Sequence, residues 1–356
     1  MSVIFAGGGT IGPITSLIPI IEALRKEGVE ECNFIAPRGS QGKELVEATG
    51  ATWNEVPAGK LARHFSFSWI TLPFNIFRGY FAAGKLLEKY DAKVVITSGS
   101  FVSPPVVWQA KRRKIPIVVI QLDILMGISN KLSAKHATKV FYSYKTKDVA
   151  HEKDVIGPVM RRPRVNKKNV FIPPGFEDSI PTIFITGGGT GAKKINDIVC
   201  ETLPALTNRA NIVHATGRGK ETKTIGYKRY LQVPFLDTDN YYYWLERASI
   251  VIGRSGMGFF SDCVAYRKPT ISIPIPNSHQ EINVHYFANH NAVITPESDK
   301  AFTGEWLIKT IDTLFSDAQK LLALKESIGR FENRNTVQIL VSEIQQLHDK
   351  SSIDSK

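Results

Sequence analysis

A short apolar strand, a glycine-dense turn and a helix start follow one another in PTIFITGGGTGAKKIN, residues 181–196, and the same order opens the chain in SVIFAGGGTIGP, residues 2–13. Glycine lets main-chain N–H groups converge where side chains are absent, and a helix N-terminus adds roughly half a positive charge there. By motif alone a single copy would serve equally as a plain strand-to-helix corner. Two copies half a chain apart instead predict two similar α/β halves. Such halves have mostly parallel sheets and bind a phosphorylated ligand at their carboxyl strand ends, facing a cleft.

A length of 356 residues fits roughly two domains. The proline- and arginine-rich stretch GPVMRRPRVNKKNVFIPPGFEDSIP, residues 157–181, resists regular structure and is the expected linker. The expected division is therefore residues 1–160, residues 161–345 and a polar tail at 346–356. Within the linker Arg161 and Arg162 could clamp a phosphate, since guanidinium forks match oxyanions. Cys32, Cys200 and Cys263 are scattered without a C-x-x-C, and the eight histidines show no ligand spacing. Reduced core thiols and no metal site are expected. The start lacks a charged, apolar leader pattern, and the charge-free span Val94–Ala110 is broken by serines and prolines, so neither a signal peptide nor a membrane-spanning helix is expected.

The net charge of +12 fits an anionic partner (nucleic acid, an acidic leaflet or a phosphorylated substrate) and equally a surplus of lysines that only confers solubility. No nucleic-acid-binding module is recognisable, which leaves a membrane surface or nucleotide phosphate. Residues 57–81 combine Trp69, Phe74 and Phe77 with Lys60, Arg63 and Arg78. That is the makeup of a segment that dips into a leaflet while its cations meet anionic headgroups, and equally of an aromatic mini-core.

Along the first half, Ser16 reads as the cap of a helix that Gly28 stops. The β-branched run Ile115–Leu122 reads as a central parallel strand, with Gln121 and Asp123 at its carboxyl end. In the second half, RSGMGFFSD at 254–262 opens another helix at Ser255 and Gly256, with Met257 and Asp262 in its first turns. His279, Gln280 and Asn283 share a helical face.

Taken together, GGGTIGPITS at 7–16, PAGKLARHFS at 57–66, GPVMR at 157–161, GGGTGAKKIN at 187–196, RSGMGFFSD at 254–262 and HQEIN at 279–283 resemble the MurG-type glycosyltransferases. These attach N-acetylglucosamine to lipid I in peptidoglycan synthesis. The resemblance runs from Ser2 to about residue 345 and implies the two-domain GT-B fold, two Rossmann-like domains facing a cleft. It implies a UDP-sugar donor held by Arg161, by the turn Gly188, Gly189, Thr190, Gly191 with Asn196, and by Phe235 and Leu236 at the uracil. Ser255, Gly256 and Met257 would start the anion-binding helix. Asp262 would meet the ribose, and His279 and Gln280 the sugar. Gly8, Gly9, Thr10 and Gly12 would place the acceptor diphosphate.

Three positions depart from the family pattern: Pro13 where a histidine is usual, Gly189 where a serine is usual, and IQLD at 120–123 in place of HEQN. Asp123, at a strand end where an aspartate equally often caps a helix, is the expected general base. The implied reaction is an inverting, metal-independent transfer from UDP-N-acetylglucosamine to a polyprenyl-diphosphate-linked acceptor. No cofactor is implied, and the expected place is the inner face of the cell membrane, in support of cell shape and division. The motifs leave open a different lipid acceptor or a catalytically weakened UDP-sugar-binding homologue.

Overall fold

The computed structural model describes residues 1–59, 68–147, 149–189, 191–222 and 226–353. It comprises two compact units, Met1–Arg161 with Asn333–Lys356, and Arg162–Glu332.

Six strands build the sheet of the first unit: β1 (Ser2–Ala6), β2 (Glu31–Pro37), β3 (Thr52–Val56), β4 (Val94–Thr97), β5 (Ile117–Gln121) and β6 (Lys139–Tyr142). They pair in parallel in the order β3-β2-β1-β4-β5-β6. β1, β4 and β5 are buried along their whole length, which is why they read as continuous apolar runs rather than alternating ones. The order reverses direction between β1 and β4, and there the loops after the two strands diverge and leave room for a ligand.

The helices of this unit are α1 (Ile11–Thr15), α2 (Ile18–Lys26), α3 (Lys43–Glu47), α4 (Ser68–Lys89), α5 (Ser103–Arg112) and α6 (Ile128–Ala134). Where one helix from residue 17 was expected, two short ones form. Ser16 closes α1 instead of opening α2, its hydroxyl donating back to Pro13 O at 3.0 Å. Pro19 sits in the first turn of α2, where its missing N–H has no intrahelical acceptor to lose.

α4 turns the usual pattern inside out. Its packed face is Gly79, Ala83, Gly84 and Leu87, and a Cβ on Gly79 would meet Pro57 O at 2.3 Å, so the helix lies almost against backbone. Its outer face carries Phe74 and Phe77, each 61% exposed, and Phe81, with Arg78 stacked over Phe74. The mini-core reading of this segment does not hold for Phe74 and Phe77. Trp69 lies on the same helix, but its side chain is outside the described residues, as are Lys60 and Arg63.

The sheet of the second unit holds β7 (Thr182–Thr186), β8 (Asn211–Ala215), β9 (Tyr230–Val233), β10 (Ile250–Arg254) and β11 (Thr270–Ile273). All pairs are again parallel, in the order β11-β10-β7-β8-β9. This is the order of the first sheet less one edge strand, with the reversal between β7 and β10. Its helices are α7 (Lys193–Thr207), α8 (Thr238–Arg247), α9 (Met257–Ala265), α10 (His279–Asn289), α11 (Gly304–Ser316) and α12 (Ala318–Gly329).

One long helix, α13 (Thr336–Ile353), then returns to the first unit. Leu340, Val341, Ile344 and Leu347 share a core with Val3, Phe5, Ile21 and Leu24. The first unit therefore takes in residues 333–345, which the sequence had assigned to the second. The expected tail at 346–356 is helical through Ile353, because the apolar row of α13 seats on α2. Among the described residues no helix is long and apolar enough to cross a membrane.

Candidate active site

Both sides of the β7/β10 reversal carry a glycine turn followed by a helix. After β7, Gly187 packs so tightly that a Cβ would meet Ala192 N at 2.3 Å. Gly188 and Gly191 adopt φ of 72° and 66°, the left-handed region that glycine enters without a side-chain penalty. Gly188 N–H donates to Thr186 Oγ1 at 3.1 Å, and Gly191 N–H to Gly188 O at 3.0 Å, so the turn is closed on itself before α7 begins. Gly189 lies in this turn, and Thr190 is outside the described residues.

After β10, Gly253 is in register with Thr186, and a Cβ there would meet Phe259 at 2.5 Å and Thr186 O at 2.9 Å. The two strands thus approach closely beneath the turns. Ser255 is buried, sharing a hydrogen bond with Ser272 at 2.8 Å, while Asn283 Nδ2 donates to its carbonyl at 3.3 Å. Gly256 caps α9 and Met257 is buried in its first turn. Gln280 Oε1 accepts from Ile275 N–H at 3.1 Å, and its Nε2 lies 3.8 Å from the place of a Cβ on Gly256. Gln280 therefore stands over the start of α9, whereas His279 is exposed at the start of α10.

Other expected residues also have contacts within the chain. Asp262 accepts from Tyr241 at 3.0 Å with one oxygen and from Tyr242 at 3.1 Å with the other, which joins α9 to α8. Burial, followed by the nearby Asp262 carboxylate, drives the Tyr241 hydroxyl well above its usual pKa, so it remains a donor. Phe235 is exposed with Arg218 over its ring at 5.4 Å, while Leu236 is buried. Arg161 belongs to the first unit, where its Nη2 lies 3.3 Å from Glu22 Oε1 of α2. Arg162 belongs to the second and pairs with Glu332 at 2.9 Å.

Asn196 is buried and answers for the loop after β8. Its Nδ2 donates to Thr216 O at 3.0 Å and Lys220 O at 3.1 Å, and its Oδ1 faces His214 Nε2 at 3.0 Å. His214 Nδ1 in turn lies 3.0 Å from the Tyr230 hydroxyl. Neither this network nor Lys220 was legible in the sequence, because its members meet only when β8 is laid beside β7. A histidine one residue before an A-T-G turn is the only local hint.

Burial pulls His214 down to a pKa of about 4, against an ordinary value near 6.5. The unfolded chain then binds the proton first, so stability present above pH 6.5 is lost as pH falls from there towards 4. Urea unfolding of the wild type should lose about 3 kcal/mol more than His214→Gln between pH 7 and pH 4. Parallel pH dependences would remove His214 from that role.

In the first unit, Gly8 and Gly9 have φ of 133° and 80°. A Cβ on Gly8 would meet Pro37 at 2.7 Å, and Gly9 N–H donates to Ser40 Oγ at 3.2 Å. Thr10 is exposed, and Gly12 has open space where a side chain would be. Pro13 O accepts from Ser98 at 2.7 Å, which brings the loop after β4 against this turn. At the end of β5, Gln121 is buried with Nε2 donating to Asp123 O at 2.6 Å and Leu125 O at 3.3 Å, while Asn130 donates to Gln121 Oε1 at 2.6 Å. The backbone of Asp123 is thereby fixed, with its side chain half-buried. Among the described residues no three His, Cys, Asp or Glu side chains are grouped to hold a metal ion.

The family model of the glycosyltransferase family 28 N-terminal domain matches residues 3–142, and that of the family 28 C-terminal domain matches residues 182–339. A UDP-N-acetylglucosamine–N-acetylmuramyl-(pentapeptide) pyrophosphoryl-undecaprenol N-acetylglucosamine transferase of Lachnoclostridium phytofermentans is 31% identical over 336 residues, 91% of this chain and 94% of that one. A protein of the same name, numbered 3, from Bacillus cereus is 30% identical over 331 residues, 90% of this chain and 92% of that one. The crystal structure of MurG from Acinetobacter baumannii superposes with a TM-score of 0.71 at 19% identity, covering 97% of this chain and 99% of that one. That last likeness is one of fold, two Rossmann-like units of the GT-B kind.

Proposed function

The chain belongs to glycosyltransferase family 28, and from that premise we propose that it transfers N-acetylglucosamine from UDP-N-acetylglucosamine to lipid I, giving lipid II for peptidoglycan. The observation that carries the reading is the pair of turns, Gly187–Ala192 and Ser255–Met257, on either side of the β7/β10 reversal. Each presents main-chain N–H groups at a helix start, and a UDP leaving group develops its charge where such groups converge. The transfer is inverting and uses no metal ion. Arg161 adds a guanidinium to the diphosphate, Phe235 and Leu236 border the uracil, Asp262 meets the ribose, and His279 and Gln280 hold the sugar hydroxyls.

Inversion in a single displacement needs one base on the face opposite UDP, and Asp123 takes that role. Gly8, Gly9, Thr10 and Gly12 receive the acceptor's diphosphate. The test is labelled UDP-N-acetylglucosamine offered with lipid I, with a diacylglycerol and with no acceptor. Label should move to lipid I alone. Calorimetry that detects no heat with UDP would end the donor reading, and transfer to the diacylglycerol alone would replace the acceptor.

The exposed row Phe74, Phe77 and Phe81, with Arg78 and Lys85 beside it, is the surface that meets an anionic leaflet. Phe74→Ser with Phe77→Ser should weaken binding to phosphatidylglycerol vesicles about tenfold or more. Unchanged vesicle binding would return α4 to an ordinary surface helix.

A further inference from the structure

Lys220 stands in none of the motifs that the sequence offers, yet it reaches the glycine turn after β7. Its Nζ donates to Gly191 O at 3.3 Å, and its Cδ lies 3.0 Å from the place of a Cβ on Gly191. Thr216 O is nearer still, at 2.3 Å from the same point. The loop after β8 is thus laid directly on the turn, and only a glycine at 191 permits it.

The backbone of that lysine is fixed on both sides. Asn196 Nδ2 holds Thr216 O and Lys220 O together, and the buried His214, itself met by the Tyr230 hydroxyl, holds Asn196. Two residues on, Thr222 N–H donates to Gln232 Oε1 at 3.3 Å, and Gln232 Nε2 donates to Thr222 O at 2.9 Å. What stays adjustable is the aliphatic stem and the exposed ammonium. An ammonium carries three donors, and a single carbonyl takes one.

We infer that Lys220 binds the diphosphate of the uridine nucleotide donor, with Asn196 and His214 as its positioning residues. The inference rests on the donor reading above. As the bond from the sugar's anomeric carbon to the diphosphate oxygen breaks, its electron pair goes to that oxygen. The acceptor oxygen bonds to the carbon and its proton leaves to the base. Lys220 keeps its own proton and neutralises the departing charge. A cation already resting on the turn supplies this without being carried there by a second segment.

The experiment is calorimetry of the full chain with UDP and with uridine, beside steady-state transfer, for wild type, Lys220→Met and Lys220→Arg. The side chain is exposed, so the variants should melt like wild type. Lys220→Met should bind UDP about tenfold more weakly or worse, leave uridine binding unmoved and lower kcat, with Lys220→Arg restoring most of each. In a double-mutant cycle, Asn196→Ala should weaken UDP binding in the wild type but add little to Lys220→Met. Where Asn196→Ala does not fold, His214→Gln takes its place. An unchanged preference for UDP over uridine in Lys220→Met overturns the inference while the donor reading stands. Simple additivity in the cycle overturns the positioning role, and absence of UDP binding to wild type overturns both readings.

Discussion

Asp123→Asn should lower transfer of N-acetylglucosamine to lipid I by about 10²- to 10⁴-fold, with UDP affinity and melting temperature close to wild type. An amide of the same shape cannot accept the proton that an attacking hydroxyl must lose. Gln121 and Asn130 hold the loop through main-chain carbonyls, and Asn130 also donates to Gln121 Oε1. The change therefore removes a base while these bonds remain available. Turnover at the wild-type rate with native donor affinity would take Asp123 out of the mechanism.

The second large effect concerns Gly191→Ala. A methyl group there would meet Thr216 O at 2.3 Å, and the residue has φ of 66°. Either the glycine turn or the loop after β8 has to move, and both are backbone. A loss of about 3 kcal/mol or more in unfolding free energy is expected, with UDP binding reduced by more than tenfold. Gly188→Ala is the matched control, since its φ is 72° but its Cβ would meet nothing within 4 Å. Strain alone at that position should cost about 1 kcal/mol. Equal losses in the two variants would show that conformational strain, and not the close approach of the loop, is what glycine supplies at 191.

How much of this was legible in the sequence depends on the range of the interaction. The two glycine turns were legible because strand, turn and helix are consecutive residues, and the parallel sheets because fully buried strands read as unbroken apolar runs. α4 was not read as a helix, since its small residues face inward and its phenylalanines outward, with Pro73 inside the helix. Ser16 looked like an N-cap because it precedes an apolar periodicity, but the helix before it had no such signature in five residues. Lys220, Asn196 and His214 are separated along the chain and adjacent only through the sheet. Nothing local in the residues of α13 names the core it joins.

That last helix sets an order of assembly. The core around Val3 and Phe5 also includes Leu340, Val341, Ile344 and Leu347, so the unit begun first on the ribosome is completed last. Residues 162–332 emerge whole and can fold while the earlier segment still presents an unfilled apolar face. Synthesis thus runs against the usual N-terminal-first sequence, and a nascent chain halted before residue 336 would carry a finished inner unit flanked by an unfinished outer one.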